Sequence, residues 1–192
     1  MKSPKSQGRT VLFLLVLGAA CQAAWAADWT MEPAASRLEF TATFEGAPAP
    51  GVFKEFEVQL KDFDPDKASA GRLDVSIRVA SADMDSTDIN KAIAGKEWFD
   101  FAKYPGAQFH ASEIRSAQAG RYLARGTLTL KGVQQPVEVP FSWAPSGDGA
   151  TMEGQFVAKR TTFGIGTGEW LSTDVIGPDV TVKFRVRLRK VG

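Results

Sequence analysis

The stretch Val180-Thr-Val-Lys-Phe-Arg-Val-Arg-Leu-Arg-Lys190 places Val180, Val182, Phe184, Val186 and Leu188 on one face of an extended chain and Lys183, Arg185, Arg187 and Arg189 on the other. This strict period of two marks a strand with one dry and one wet face. The alternation recurs in Leu73, Val75, Ile77, Val79 and in Val137, Val139, Phe141, Trp143, and less cleanly in Leu38, Phe40, Ala42, Phe44. Strands of this kind bury their apolar faces together by closing around an interior. What that interior holds becomes the functional question.

Working outward, turn signals divide the chain. Residues 36–45 read as a strand ending at the turn Gly46-Ala-Pro-Ala-Pro-Gly51, and residues 52–61 as a second ending at Phe63-Asp-Pro-Asp66. Proline, glycine and aspartate are the residues that turns demand. Residues 72–80 form a third strand. Residues 89–95 lack alternation and read as a short helix with Ser86 or Thr87 near its N-cap. Strands resume over 107–116, 121–130, 133–143, 151–159 and 178–190, punctuated at hairpin spacing by Gly120, Lys131-Gly132 and Ser146-Gly-Asp-Gly149. The total is about eight strands, for which a closed barrel has room for side chains or one small ligand.

The first residues predict a cleaved secretory signal over 1–26: basic Lys2, Lys5 and Arg9, the apolar run 11–17, and the small-x-small site Ala24-Trp-Ala26. The apolar run is too short to span a bilayer, so no transmembrane segment is expected in the mature chain. A lipoprotein signal acylated at Cys21 is the rival, against which stands Gly18 where a larger aliphatic residue is usual. The expected location is the periplasm. The remaining domain, 27–192, carries 20 Lys and Arg against 22 Asp and Glu. With no basic excess to neutralise phosphates, nucleic acid is excluded as a partner class. Cys21 is the single cysteine, so the domain has neither disulfides nor thiolate chemistry. Its 166 residues suffice for one core.

Two groupings invite a chemical role. Asp83, Asp85, Thr87 and Asp88 suggest a calcium loop, but Asp88 stands where the tight-turn glycine belongs and Ala94 where the bidentate glutamate belongs. A capped helix entrance accounts for them. His110 is the only histidine. It has no cysteine, second histidine or serine motif beside it, and with Phe109 inward it faces outward. Glu32, Glu39, Glu55, Glu57 and Asp74 alternate with apolar residues as a wet face does. Neither a phosphate-cradling glycine loop nor a metal-ligand cluster is present. The expectation is a protein without catalytic or metal residues.

The alternation stops at Gly95-Lys-Glu-Trp-Phe-Asp-Phe-Ala-Lys-Tyr-Pro-Gly-Ala-Gln-Phe109, which packs five aromatics into fifteen residues. This segment resembles the signature of the YceI-like family of secreted lipid-binding barrels. The resemblance continues through Gly126-Thr-Leu-Thr-Leu-Lys-Gly-Val133 with Pro136-Val137, and through Arg160-Thr-Thr-Phe-Gly-Ile-Gly166 with Gly168-Glu-Trp170. It extends to Ser36-Arg-Leu-Glu-Phe40, Gly51-Val-Phe53 and Asp174-Val-Ile-Gly177, in order along the domain. Departures fall at Ser81-Ala-Asp-Met-Asp85, at Thr87-Asp88 where an arginine-aspartate pair is common, and at the proline-rich 47–50.

The resemblance implies an all-β fold: an extended, antiparallel, eight-stranded lipocalin-like barrel with a short helical insertion. It also implies a long-chain isoprenoid, a polyprenyl lipid or an isoprenoid quinone, or a similar amphiphile in the lumen, with no cofactor beyond that ligand. A strand of eight residues at ~3.3 Å each runs roughly 26 Å, enough to sheathe a long hydrocarbon chain. The candidate lining residues are Phe40, Phe44, Val58, Val75, Ile77, Val79, Phe109, Leu128, Phe141, Phe156, Val182 and Phe184. Trp98, Phe99, Phe163 and Trp170 are expected near an opening, Trp98 and Phe99 alternatively as a plug fixing the insertion to the rim. Three function classes follow: a periplasmic non-catalytic carrier or store for an isoprenoid, an enzyme acting on such a lipid through His110 or a carboxylate pair, and an outer-membrane barrel. An exposed edge strand and outward tyrosines leave a homodimer open.

Overall fold

The computed structural model describes residues 27–191, so the expected signal segment, its expected cleavage site and Cys21 lie outside the described residues. Eleven strands and one α-helix build an all-β fold. They are β1 (Ala27–Met31), β2 (Arg37–Phe44), β3 (Ala47–Phe53), β4 (Phe56–Phe63), β5 (Arg72–Arg78), β6 (Ala82–Asp83), α1 (Thr87–Ile93), β7 (Gly106–Gln118), β8 (Arg121–Leu130), β9 (Val133–Ser146), β10 (Gly149–Lys159) and β11 (Asp179–Val191). The antiparallel order β1-β4-β5-β7-β8-β9-β10-β11 closes through β1 against β11, giving an eight-stranded barrel.

The wall branches at β11. Its C-terminal half pairs with β1 (Met31 opposite Leu188), while its N-terminal half pairs, on the same edge, with β2 (Phe40 opposite Val182). The break between them is a 3-10 turn at Pro33–Ala35, where proline starts the turn and cannot continue a ladder. Beyond β2 the branch continues through β3 to the two-residue β6. Two expectations need correction here. The barrel holds eight strands, but one is β1, which the turn pattern did not mark, and β2 belongs to the branch. The proline-rich stretch after Gly46 is strand β3, with the turn confined to Glu45 and Gly46, both at positive φ. Prolines are tolerated there because β3 is an edge: Pro48 and Pro50 pair opposite Thr43 and Thr41, so their missing N–H groups fall on the free side.

Two smaller corrections follow from bends. Residues 52–61 are two strands, because the chain turns at Lys54 and Glu55 between β3 and β4. Val79 leaves β5 for a 3-10 turn and is buried there. The helix starts and ends two residues before the expected 89–95, with the Ser86 hydroxyl, one of the two expected caps, accepting from Ile89 N–H at 3.4 Å.

The interior is divided along its length. At the β1 end it is solid: Trp29, Phe63, Tyr122, Phe141 and Trp143 interlock, with Trp29 and Phe63 rings each 4.9 Å from that of Trp143. Tyr122 is buried in this cluster and donates its hydroxyl to Pro65 O at 3.1 Å. At the other end the inward residues of the same strands are only partly covered. On β11, Phe184, Val186 and Leu188 are buried while Val180 and Val182 are not fully so, and on β10 Met152 is buried while Phe156 and Ala158 are not.

Truncating equivalent side chains tests this division. Leu188→Ala, at 0% exposure, removes close-packed contacts and is expected to cost about 2–5 kcal/mol. Leu130→Ala, at the partly covered end, leaves no new void and is expected to cost less than half as much, with urea unfolding as the measurement.

Candidate functional site

The uncovered interior is a cavity of ≈ 320 Å³ whose wall is essentially all carbon. Strands supply Phe40, Ala42, Ala49, Phe53, Ile77, Ala107, Leu128, Leu130, Phe156, Ala158, Val180 and Val182. The cap supplies Ile89, Ala92 and Ile93 from α1, Trp98 and Phe99 from the loop after it, and Phe163, Ile165, Trp170 and Ile176 from residues 160–178. Phe44 and Ile89 line the cavity yet stand 46% and 44% exposed, which marks its mouth. The small residues Ala42, Ala49, Ala107 and Ala158 at inward positions create the space. Gly51 does so indirectly, since the Phe40 ring lies over it where a Cβ would come within 2.3 Å.

Of the residues expected to line the lumen, Phe40, Phe44, Ile77, Leu128, Phe156 and Val182 do so. Val58, Val75, Phe109, Phe141 and Phe184 do not: Val58, Phe109, Phe141 and Phe184 are buried in the core, and Val75, partly buried, packs against it. Val79 is buried away from the cavity in its 3-10 turn. The hollow is therefore shorter than a full strand length. Trp98, Phe99, Phe163 and Trp170 line the capped end. They also plug, because the rings of Trp98 and Trp170 approach to 5.7 Å and Phe99 packs edge-on to Phe53 at 6.5 Å. Sequence pattern missed the cap residues Ile89, Ile93, Ile165 and Ile176, which occupy helix and loop where no period of two signals direction.

Arg160 holds the cap. It is 3% exposed, and its guanidinium donates five hydrogen bonds to carbonyls of residues 165–177: Gly177 from Nε at 3.0 Å, Ile165 and Gly166 from Nη1 at 3.0 and 3.1 Å, Ser172 and Ile176 from Nη2 at 3.0 and 2.7 Å. All five N–H donors are used. Burial pushes its pKa down, but an arginine keeps its charge. Gly166 is obligatory beneath it, since its φ is +74° and a Cβ would sit 2.2 Å from Nη1. The two halves of the cap are stitched by Gly166 and Thr167 N–H to Glu97 O at 2.8 and 2.9 Å and by Lys131 Nζ to Lys96 and Gly164 carbonyls at 2.9 and 2.6 Å.

The polar groups singled out in the sequence lie elsewhere. His110 is on the outer face, paired through Nδ1 with Asp74 on the neighbouring strand, across the wall from the cavity. Asp83 bonds Lys54, Asn90 Nδ2 at 2.8 Å and the backbone N–H of Asp85 at 3.0 Å, which ties β6 to β3 and to α1. Among the described residues no cluster of His, Cys, Asp or Glu has metal-binding geometry.

A closed eight-stranded antiparallel barrel, solid at one end and hollow and apolar under a two-part cap at the other, is the architecture of a small-ligand-binding barrel. The chain belongs to the YceI family, whose domain model, described as YceI-like domain, matches residues 29–188. The crystal structure of Burkholderia cenocepacia BcnA is similar at 38% identity and a TM-score of 0.79, covering 82% of this chain and 98% of that one. A structure described as a polyisoprenoid binding domain from Saccharophagus degradans has a TM-score of 0.69 at 16% identity, covering 87% and 99%. A UPF0312 protein of Photorhabdus laumondii is 33% identical over 87 residues, 45% of this chain and 44% of that protein. The matched stretch thus spans under half the length of that relative.

Two variants probe the site's framework. Arg160→Ala strands five carbonyls and is expected to destabilise by at least about 3 kcal/mol, a fall in Tm of roughly 6–12 °C, with Arg160→Lys recovering less than half because an ammonium has fewer donors. Asp83 is held at about 2, below its ordinary 3.8, chiefly by Lys54 and then by Asn90 and the Asp85 N–H. A depressed carboxyl pKa stabilises the fold fully above the unfolded value and loses this as pH falls through the folded one. Thermal melting of Asp83→Asn should therefore fall below wild type at pH 6, with the difference shrinking from about pH 4 and vanishing by about pH 2.

Proposed function

We propose that this protein is a non-catalytic carrier that holds a linear isoprenoid lipid, a polyprenyl chain or the tail of an isoprenoid quinone, in its apolar cavity, in the periplasm, for transport or storage. The observation that carries this is the cavity itself: an interior left empty by inward alanines, walled by carbon, and opening between the exposed Phe44 and Ile89. Each methylene moved from water into such a site contributes about 0.8 kcal/mol, so a branched hydrocarbon chain is held without charged partners. The name of the Saccharophagus degradans neighbour, a polyisoprenoid binding domain on the same fold, supports the ligand class. The leader over 1–26 supports the compartment.

The rival classes fit less well. An enzyme would need its reactive groups at the ligand, whereas His110 and Asp74 face outward and the cavity wall offers no acid or base. An outer-membrane barrel would turn its apolar face to lipid. Here that face is inward, and the outer surface carries ion pairs such as Arg185 with Glu153 at 2.6 Å and Arg125 with Glu138 at 2.5 Å.

The test is to purify the protein without detergent, compare native and denaturing mass spectra, and identify any molecule released by organic extraction. One co-purifying isoprenoid of defined mass is expected. Phe156→Glu, which sets a carboxylate in the cavity wall, should reduce its retention about ten-fold or more. A barrel that is empty and takes up neither farnesol nor solanesol would overturn the proposal.

A further inference from the structure

We infer that the seam where the wall branches is a lateral portal of the cavity, through which the distal end of an isoprenoid longer than the cavity emerges; this rests on the carrier function proposed above. The cavity is short. Along β2 its lining runs from Phe40 to Phe44, four steps of the strand that rise about 13 Å, and below it the barrel is packed with core side chains. A chain of many isoprene units outruns that length and needs a second way out.

The wall provides one. The last β2–β3 pair is Leu38 with Phe53, and the nearest β1–β4 pair is Thr30 with Gln59. Between them neither ladder continues, because β1 and β2 separate at Pro33–Ala35 and β3 and β4 separate at Lys54 and Glu55. The resulting cleft, ≈ 930 Å³, opens to the surface over a floor that includes Met31, Val52 and Phe56. Phe53 and Ile77 line both cleft and cavity, so these residues stand between the two. Side chains turn about single bonds far more readily than a hydrogen-bonded ladder parts.

The rim chemistry selects a hydrocarbon end rather than an anionic headgroup. Arg37 pairs with Glu39 at 2.7 Å, Arg78 with Glu55 at 2.8 Å, and Lys54 with Asp83. Each cation at the cleft already has its carboxylate, while Met31, Pro33, Val52, Phe56 and Pro105 supply the apolar part of its lining.

The experiment uses farnesol, with three isoprene units, and solanesol, with nine, presented in phosphatidylcholine vesicles. Ser76 lines the cleft but not the cavity. Ser76→Trp is expected to weaken solanesol binding about ten-fold while leaving farnesol binding unchanged. A nonaprenol carrying a diazirine at its distal end gives a readout on the wild-type protein, with cross-links expected at Met31, Phe56 or Ser76. Cross-links confined to cavity residues such as Ile93 or Leu128, or equal effects of Ser76→Trp on both alcohols, would overturn the portal and leave the carrier function standing. Binding of neither alcohol by the wild type would overturn both.

Discussion

One edge of β11 serves two strands, and the architecture depends on that sharing. A strand edge offers one row of hydrogen-bonding groups, so β1 and β2 must take successive segments of it, and the chain between them must leave the sheet. Below the break, β1 pairs onward to β4 and the barrel closes. Above it, β2 leads into β3 and β6, whose narrow ladder reaches no further around the wall. The circle is completed there by α1, the aromatic loop and residues 160–178, which are joined to each other and to the end of β2 by scattered backbone hydrogen bonds rather than by a strand ladder.

That difference separates a stabilising half from a binding half. Where eight strands close, side chains from opposite walls meet and fill the centre with interlocked aromatics. Where the wall is finished by a cap, inward alanines leave open space. A cavity forgoes packing energy, so something else must keep its roof from collapsing. Arg160 supplies this by gathering five carbonyls of one loop around a single buried charge, and the loop is then joined to the aromatic segment through Glu97 and Lys131. Carbonyl dipoles neutralise the cation without a carboxylate, so the wall beside the cavity carries no exposed polar pair.

The barrel wall divides an apolar interior from a charged outer face. Charged residues alternate along the outside of the barrel in cross-strand pairs, suiting water on that side. The free edge at β3 carries Pro48 and Pro50 and gives few donors for another chain to pair with.

Much of this was legible in the sequence. The pleat is local, so period-two patterning in residues 179–190 or 137–143 fixes which side chains turn inward, and the glycine-bearing hairpins and the Ser86 cap follow from backbone chemistry within a few residues. The aromatic run at 98–109 and the motif beginning at Arg160 identified the family. Prolines that looked like a turn proved to be an edge strand, because whether a missing N–H matters depends on which side has a neighbour. Nor could spacing distinguish Val182, which lines the cavity, from Phe184, two residues along on the same face and packed in the core. The sequence by itself determined the barrel's inner face. Only the tertiary structure decided where that face is filled, where it is hollow and where the wall parts, because those depend on side chains brought opposite one another from strands far apart in the chain.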